Sequence, residues 1–223
     1  ASAPPGRPPH VPAAGPALAV RWHPVVEVAS GRIAGFRIDT GDPADAQRAV
    51  VRAVGALSGW PAGPGGGAPP LAMVALIAAP DARLAAFVEA VLRRADVAAA
   101  RLWLRVPATG GGDAVAALRR AGVRVMREGY AGPAGGAPAP DADGVALDPG
   151  PVAAGDWSLV QAALSVARHL DLATLAPDVA DGAGAARLRA LGCRWAEGPW
   201  YGPPLETGTA GRAAGRRHPA TDG

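Results

Sequence analysis

The side chains that most often do chemistry in proteins are few and widely spaced in this sequence. Its four histidines are His10, His23, His169 and His218, and its only cysteine is Cys193. His10 and His218 fall in the terminal stretches, and His169 falls at the end of a predicted helix, where a cation suits the helix dipole. This spacing predicts no histidine metal site. Cys193 adjoins a predicted buried strand, so we expect it to pack rather than to act as a nucleophile.

Glycine-rich stretches occur at residues 65–67 and 110–112. Neither has the Gly-x-Gly-x-x-Gly or Walker spacing, so both are predicted as loops and not as phosphate cradles. The chain contains no Lys and no Asn, and all 22 of its basic residues are Arg. Two residue types are therefore excluded from any mechanism.

Length and composition predict one domain between two flexible ends. Residues 1–17 and 206–223 are rich in Pro, Gly, Ala and Arg and have little bulky apolar surface, so we expect flexible tails there. Residues 18–205 are expected to form the folded domain of this 223-residue chain. The net charge is +3, and the tails carry most of it, so the pI of about 9.9 predicts no nucleic-acid partner.

One cysteine allows no internal disulfide, and we expect a cytoplasmic location. No apolar stretch reaches the roughly 18 residues that a membrane-spanning helix requires. The chain begins without Met or a signal-peptide pattern and is interpreted as a piece of a longer protein.

Eight β-rich runs, mostly separated by helical patterns, organise the central region. Ser30-Gly31 joins the first two runs into a hairpin, Asp42 and Asp81 are predicted helix N-caps, and a long amphipathic helix is predicted from Asp156 to Leu170. An Ala/Gly/Pro-rich loop is predicted at residues 131–140. The pattern predicts parallel βα units closed into a barrel, with an open doubly wound sheet as the alternative. The predicted strands cover residues 18–28, 33–38, 71–77, 102–106, 123–127, 145–147, 172–176 and 194–196.

Several segments resemble EAL domains, the bacterial cyclic-di-GMP phosphodiesterase family. HPVVEVASGRIAGFRI (residues 23–38) is similar to the family's opening hairpin, which ends in Gly-Phe-Glu-Ala-Leu. LRRAGVRVMREGYAG (118–132) resembles its Gly-Val-Arg-Ile-Ala-Leu-Asp-Asp-Phe-Gly segment, and GVALDPGPV (144–152) its Leu-Lys-Ile-Asp-Arg-Ser-Phe-Val segment. The strongest similarity covers 159–181 and RLRALGCRWAEGPWYGPPL (187–205), where the family reads Leu-Gly-Cys, Gln-Gly-Tyr and Pro-Leu in turn.

The resemblance implies a TIM-like (β/α)8 barrel of EAL type, α/β in class, with an antiparallel first strand and some shortened segments. It also implies a site at the carboxyl ends of the strands, where two divalent cations activate a water against a phosphodiester. The stretch at residues 131–140 replaces the segment that couples site and dimer in the family, so we do not expect the usual dimer.

Most of the implied metal and substrate positions hold the wrong residue type. Arg37 replaces the Glu of Glu-Ala-Leu, Arg105 replaces the Glu that ends the fourth strand, and neither can bind a cation. Glu128 and Asp148 alone keep a carboxylate where the family has one. The other replaced positions are Gly41 for the phosphate-contacting Arg, Ala75 for Asn, Gly129 for Asp, Ala146 for the catalytic Lys, Pro177 and Ala180 for Glu, Glu197 for Gln and His23 for Gln.

These replacements predict a catalytically inactive domain that holds no metal or other cofactor. We expect it to act as a regulatory or interaction module whose partner is another signalling protein. A non-hydrolysing cyclic-di-GMP sensor is the alternative, and a residual phosphodiesterase is a weaker one. The residues predicted to contact a ligand or partner are Arg37, Arg105, Tyr130, Trp200 and Tyr201.

Three interpretations of the introduced arginines stay open at this stage. They could pair with Glu128, Asp148 or Glu197 in place of the metals, because buried charges are normally paired. They could instead bind the phosphates of a nucleotide, or lie unused in solvent. Trp195, Trp200 and Tyr201 are expected near the same end of the barrel.

Overall fold

A computed structural model describes residues 20–60, 68–131 and 141–218 of the chain. The strands in these ranges form one closed barrel in sequence order. They are β1 (His23–Glu27), β2 (Arg32–Asp39), β3 (Leu71–Ala75), β4 (Leu102–Val106), β5 (Arg124–Tyr130), β6 (Gly144–Leu147), β7 (Ala173–Ala176) and β8 (Trp195–Ala196).

The first strand runs against its neighbours. β1 is antiparallel to both β2 and β8, whereas every other neighbouring pair is parallel. This arrangement confirms the predicted barrel, the opening hairpin and the antiparallel first strand. The open-sheet alternative is wrong, because β8 pairs with β1 and closes the sheet.

Helices cover the outside of the barrel and begin near the carboxyl ends of the strands. Asp81 and Asp156 accept hydrogen bonds from the backbone N–H of Leu84 (2.8 Å) and Leu159 (3.1 Å). The predicted N-cap at Asp81 is therefore confirmed, and Asp156 caps the helix that was predicted to begin there. Asp42 caps the short 3-10 turn that leads into the first helix. The helices are α1 (Ala46–Gly59), α2 (Ala82–Ala95), α3 (Gly112–Arg120), α4 (Pro149–Ala154), α5 (Trp157–His169), α6 (Gly182–Ala190) and α7 (Thr207–Ala213).

Charges of opposite sign lie at the two ends of these helices. Aspartates cap α2, α4, α5 and α6 at their starts, and arginines occupy the last turns of α2, α3, α5 and α6. Each placement stabilises a helix through its dipole. Because the helices run from the carboxyl end of the barrel to the amino end, the carboxyl end collects acidic groups and the amino end basic ones.

Apolar side chains are buried in two separate clusters. The larger one lies between the sheet and the helices and includes Trp22, Phe36 and Leu57. The smaller one fills the barrel with side chains that alternate along the strands with those of the larger cluster. Its members are Val25, Leu71, Met73, Trp103, Met126, Ala146, Ala173, Leu175 and Trp195.

The segment after Leu205 differs from the flexible tail that composition predicts. It forms α7 and then continues to His218, pairing with the barrel through an Arg32–Arg217 bridge. Thr207 Oγ1 accepts a hydrogen bond from Trp22 Nε1 at 2.9 Å, and Ala210 is fully buried. Small residues allow this helix to lie close to the barrel, so low apolar bulk here reflects close packing rather than disorder.

Residues 1–17, and all but the first residue of the predicted loop at 131–140, lie outside the described residues. Within the ranges that the structure covers, no helix combines the length and the hydropathy needed to cross a membrane.

Candidate functional site

Strand alternation directs a set of polar side chains into the carboxyl end of the barrel, which we call the mouth. Arg105 lies two residues after Trp103, Glu128 two after Met126, and Glu197 two after Trp195. The preceding residue of each pair fills the barrel interior. Because side chains two apart in a strand share a face, the three polar groups converge above the apolar interior.

These three side chains and two from β2, Arg37 and Asp39, form what we call the mouth network. Glu197 is its centre, with Oε2 2.8 Å from Arg37 Nε and Oε1 2.5 Å from Arg105 Nη1. Arg105 Nη2 also lies 3.0 Å from Glu128 Oε1. Arg37 pairs in addition with Asp39.

The centre of the mouth network is shielded from water. The side chains of Glu197 and Arg105 are 4% and 9% exposed, and that of Arg37 is 15% exposed. Removing charges from water costs several kcal/mol per ion unless partners satisfy them. Each charge here has a partner of opposite sign, so the pairing that the sequence suggested for the two arginines is confirmed with Glu197 and Glu128.

Gly198 fixes the backbone directly after Glu197. Its φ of 142° lies in the region that favours glycine, and a Cβ atom there would come within 2.3 Å of the Val179 backbone nitrogen. The Glu197 and Val179 backbones are joined by a hydrogen bond of 2.9 Å. The close approach of these two segments therefore holds the central carboxylate in place.

His23 lies at the edge of the mouth network. Its Nε2 is 3.6 Å from Asp39 Oδ2. Burial, reinforced by the nearby Arg37 cation and opposed by Glu197, lowers the pKa of His23 below its usual value. The imidazole is therefore predominantly neutral at neutral pH.

Asp148 does not join the mouth network, although the sequence offered it as a partner for the arginines. Its Oδ1 accepts a hydrogen bond from the backbone N–H of Gly150 at 2.7 Å and caps α4. The backbone N–H of Asp148 donates to the Tyr130 carbonyl oxygen at 3.0 Å. The carboxylate at this position, which the EAL resemblance implies as part of the site, thus has a structural role as a helix cap.

The remaining replaced positions contribute backbone and small apolar groups. Ala75 offers its carbonyl oxygen to the Thr40 N–H and hydroxyl, at 3.1 and 3.0 Å. Gly129 has a φ of 71° and lies where the β5–β6 register shifts. Ala146 belongs to the barrel interior, and Pro177 is buried directly after β7. None of these four side chains has an oxygen that could bind a cation.

The aromatic residues predicted to contact a partner are largely enclosed. Tyr130 is 7% exposed and Tyr201 2% exposed, and burial raises the pKa of Tyr201 to about 12. Trp200 is half-buried and packs against Gly182. Neither tyrosine offers a surface to a partner in this conformation.

The expected position of Trp195 is wrong. Trp195 packs edge-on against Trp103, with ring centroids 4.9 Å apart, at the first residue of β8. This is the amino end of the barrel, opposite the mouth. The prediction placed Trp195 with Trp200 because both follow Cys193 closely, but Trp195 begins β8 and Trp200 lies in the 3-10 turn Pro199–Tyr201 after that strand.

Sequence reasoning missed one buried arginine near the mouth. Arg127 is 5% exposed and pairs with Asp141 at 2.6 Å. Its Nη1 also donates to the carbonyl oxygens of Pro107 and Gly110, at 3.0 and 2.9 Å. It thereby joins the loop after β4 to the segment before β6. The position of Arg127 within β5, directly after the apolar pair Val125-Met126, was the available signal.

The donor set of the mouth does not fit the two divalent cations that the EAL resemblance implies. Both oxygens of Glu197 and one oxygen of Glu128 lie against guanidinium groups. Hard cations need several free oxygen ligands. Across residues 20–60, 68–131 and 141–218, no three His, Cys, Asp or Glu side chains are grouped as a metal site requires.

No protein-family model and no curated protein matches the sequence. Solved structures do match the fold. A PaMucR phosphodiesterase in complex with c-di-GMP has 19% identity and a TM-score of 0.71, covering 85% of this chain and 92% of that one. The EAL domain of Mycobacterium smegmatis DcpA has 15% identity and a TM-score of 0.73, covering 91% and 97%. The Xanthomonas citri FimX EAL domain, in complex with c-diGMP, has 16% identity and a TM-score of 0.68, covering 84% and 87%. The barrel therefore has the EAL-domain fold.

Proposed function

We propose that this chain is a catalytically inactive EAL-type domain that acts by protein contact in cyclic-di-GMP signalling in the cytoplasm. The observation that carries the proposal is the position of Glu197 between Arg37 and Arg105. Two guanidinium groups take the place that the family resemblance gives to metal ligands, and they satisfy the central carboxylate.

Electrostatics argues against two-metal hydrolysis at this mouth. Two unit charges of the same sign 4 Å apart repel by about 4 kcal/mol at an effective dielectric of about 20, and a divalent ion doubles that repulsion. A metal ion entering beside Glu197 would meet two arginines. It would also have to displace them from a carboxylate that is 4% exposed.

The proton-transfer group is absent as well. Ala146 stands where the resemblance implies the catalytic lysine, and the chain contains no Lys that could replace it. Asp148, the neighbouring carboxylate, is engaged at the start of α4. The mouth therefore lacks the side chains that would bind two metal ions and the lysine that would assist in activating a water.

The role in protein contact is supported by the scaffold. The barrel closes, its interior is apolar and its helices are capped, although the groups needed for hydrolysis are replaced. A domain that keeps its fold but lacks catalytic groups still presents a folded surface to which a partner protein can bind. The mouth arginines have phosphate-binding chemistry too, so a cyclic-di-GMP sensor is the second candidate.

Incubation of the purified chain with cyclic-di-GMP and Mg²⁺ or Mn²⁺ tests the loss of catalysis. We expect no linear dinucleotide, with an active EAL phosphodiesterase as the positive control. Turnover that disappears in Glu128→Ala would contradict the proposal, because it would show that the chain itself hydrolyses the nucleotide.

Isothermal titration with cyclic-di-GMP, with and without Mg²⁺, separates protein contact from nucleotide sensing. We expect no heat of binding. Micromolar binding that is lost in Arg105→Ala and kept in the exposed-site control Arg52→Ala would establish the sensor instead.

A further inference from the structure

The amino end of the barrel carries a second concave site, away from the mouth. Its volume is about 1220 Å³, which is larger than the roughly 300–1,000 Å³ of pockets that enclose small molecules. Its floor contains Trp103 and Trp195. We call it the amino-end basin and define it by Arg101, Arg119, Arg124, Asp143, Asp171 and Arg194 on its walls.

The amino-end basin has more positive than negative charge. Four guanidinium groups face two carboxylates. Asp143 is shared by Arg119 and Arg124, at 3.2 and 3.1 Å. Arg101 and Arg194 form no ion pair with any residue of the described ranges. The residues outside those ranges add one acidic side chain, Asp222, to the whole chain.

Helix capping does not account for this surplus. Arg119 lies in the last turn of α3, where the dipole favours a cation. Arg124 is instead the first residue of β5, and Arg194 directly precedes β8, whereas Arg101 ends a single 3-10 turn, Ala99–Arg101, directly before β4. Two of the four basic residues therefore stand at strand starts, where no helix dipole favours them.

The arginines of the amino-end basin are positioned by backbone and aromatic groups. Arg101 Nε donates to the Pro70 carbonyl oxygen at 3.1 Å. The Arg194 guanidinium lies 4.6 Å from the centre of the Trp195 ring, in a cation–π contact. These contacts orient the guanidinium groups without neutralising them. Arg101 Nη2 is buried and has no hydrogen-bond partner among the described residues, whereas Arg194 is exposed, so the charge of Arg194 is accessible to an anion.

The rim also offers an apolar contact. Leu170 is 47% exposed and lines the amino-end basin beside Asp171. The two indoles of the floor are 7% and 3% exposed, so a flat ligand has no open slot between them. The accessible surface combines the exposed guanidinium groups of Arg119, Arg124 and Arg194 with one leucine. This combination suits carboxylates spaced along a peptide that also carries an apolar side chain.

We propose that the amino-end basin binds an acidic segment of a partner protein, with Leu170 contacting an apolar side chain of that segment. This inference rests on the proposed role in protein contact and identifies the chemistry of the partner.

Fluorescence anisotropy with a labelled peptide of alternating Glu and Leu residues tests the inference on the full chain. A matched peptide of alternating Gln and Leu is the neutral probe. We expect the acidic peptide alone to bind, and we expect its affinity to fall about tenfold or more between about 50 and 500 mM NaCl.

Two variants and one control locate the binding. Arg101→Gln with Arg194→Gln is expected to weaken binding by about tenfold. Leu170→Glu changes an exposed residue, should not disturb the fold, and is expected to weaken binding similarly. The control, Arg52→Gln with Arg83→Gln, removes the same charge from exposed sites elsewhere and is expected to bind like the unmodified chain.

Three results would overturn the inference: no binding of the acidic peptide, an equal loss in the control, or tighter binding of a single-stranded oligonucleotide or of anionic phosphatidylglycerol vesicles. Cyclic-di-GMP hydrolysis is measured on the same sample. Turnover there would contradict the proposed function, whereas failed peptide binding without turnover would contradict this inference alone.

Discussion

Glu197 places one carboxylate between two guanidinium groups at the barrel mouth, and Arg105 extends the contact to Glu128. The family resemblance identified both arginines and both glutamates as neighbours in one site. It could not show that Asp39 completes the mouth network, because Asp39 matches no ligand position. Arg37 and Asp39 are two residues apart in one strand and therefore share a face of the sheet. This spacing was the sequence signal for their contact.

Glu197→Gln should destabilise the fold strongly. Glutamine keeps the shape and is the family residue here, but it leaves two poorly exposed arginines without their shared counter-ion. Breaking a buried ion pair costs about 3 kcal/mol or more, and urea denaturation measures that loss. Glu89→Gln is the control, because Glu89 is 53% exposed and pairs with the exposed Arg93; its effect should stay below about 0.5 kcal/mol. Equal effects in the two variants would contradict the prediction.

His23 should make the folded state sensitive to mild acid. Its pKa is lowered in the folded chain, so between that value and the ordinary value of 6.5 the unfolded chain binds more protons. Stability is therefore complete above the ordinary pKa and falls as pH decreases through it.

His23→Gln removes this contribution. We expect the urea midpoint of the variant to fall less than that of the unmodified chain between about pH 7.5 and pH 5.5. His218, whose pKa burial also lowers, remains in both proteins. An unchanged fall in the variant would contradict the prediction for His23.

Among the secondary-structure elements, the strands could be predicted from the sequence, whereas α7 could not. Runs such as Leu71–Ala75 are apolar throughout because both of their faces are buried. α7 has no such pattern, since it packs through Ala210 and Gly211 against aromatic rings that precede it by more than a hundred residues. Small residues give a weak local signal, so their packing was visible only in three dimensions.

Gly211→Val should destabilise α7. A Cβ atom at Gly211 would lie 3.0 Å from Trp60 Cδ1, which is too close for a branched side chain. Overpacking of this kind costs about 1–3 kcal/mol. Gly208→Val makes the same change in the same helix, where the nearest atom is the mobile end of Arg212 at 3.6 Å. Urea denaturation should show a loss for the first variant and little change for the second; similar losses would argue against the α7–Trp60 contact.

Cys193, between α6 and β8, should resist thiol reagents in the folded chain. Burial raises the pKa of its thiol to about 11, and its Sγ donates to the Trp195 carbonyl oxygen at 3.2 Å. The thiolate is the reactive form, so it is scarce at pH 8. We expect negligible labelling by a disulfide reagent in buffer and complete labelling in denaturant. Rapid labelling in buffer would contradict the burial of this residue.

At the scale of the whole molecule, the order and direction of the strands were predictable, whereas their ends were less so. The Asp and Arg residues that cap the helices can each be read locally, but their separation into an acidic mouth and a basic amino end emerges only when the barrel closes. The same closure brings Arg101, Arg124 and Arg194 together at the amino-end basin, although they span nearly a hundred positions of sequence. No local pattern indicates that they are neighbours.

The antiparallel first strand has a consequence for how the chain joins its surroundings. Val20 lies beside Asp39 at the mouth, because β1 descends from there. His218 bonds to Gly31 at the hairpin turn, which is at the other end of the barrel. Residue 20 thus lies at the mouth and residue 218 at the amino end, which are the two opposite poles of the barrel. In a fusion with flanking modules, the barrel would act as a spacer that keeps them apart along its axis, and a regulator seated at one pole would be remote from a module tethered at the other.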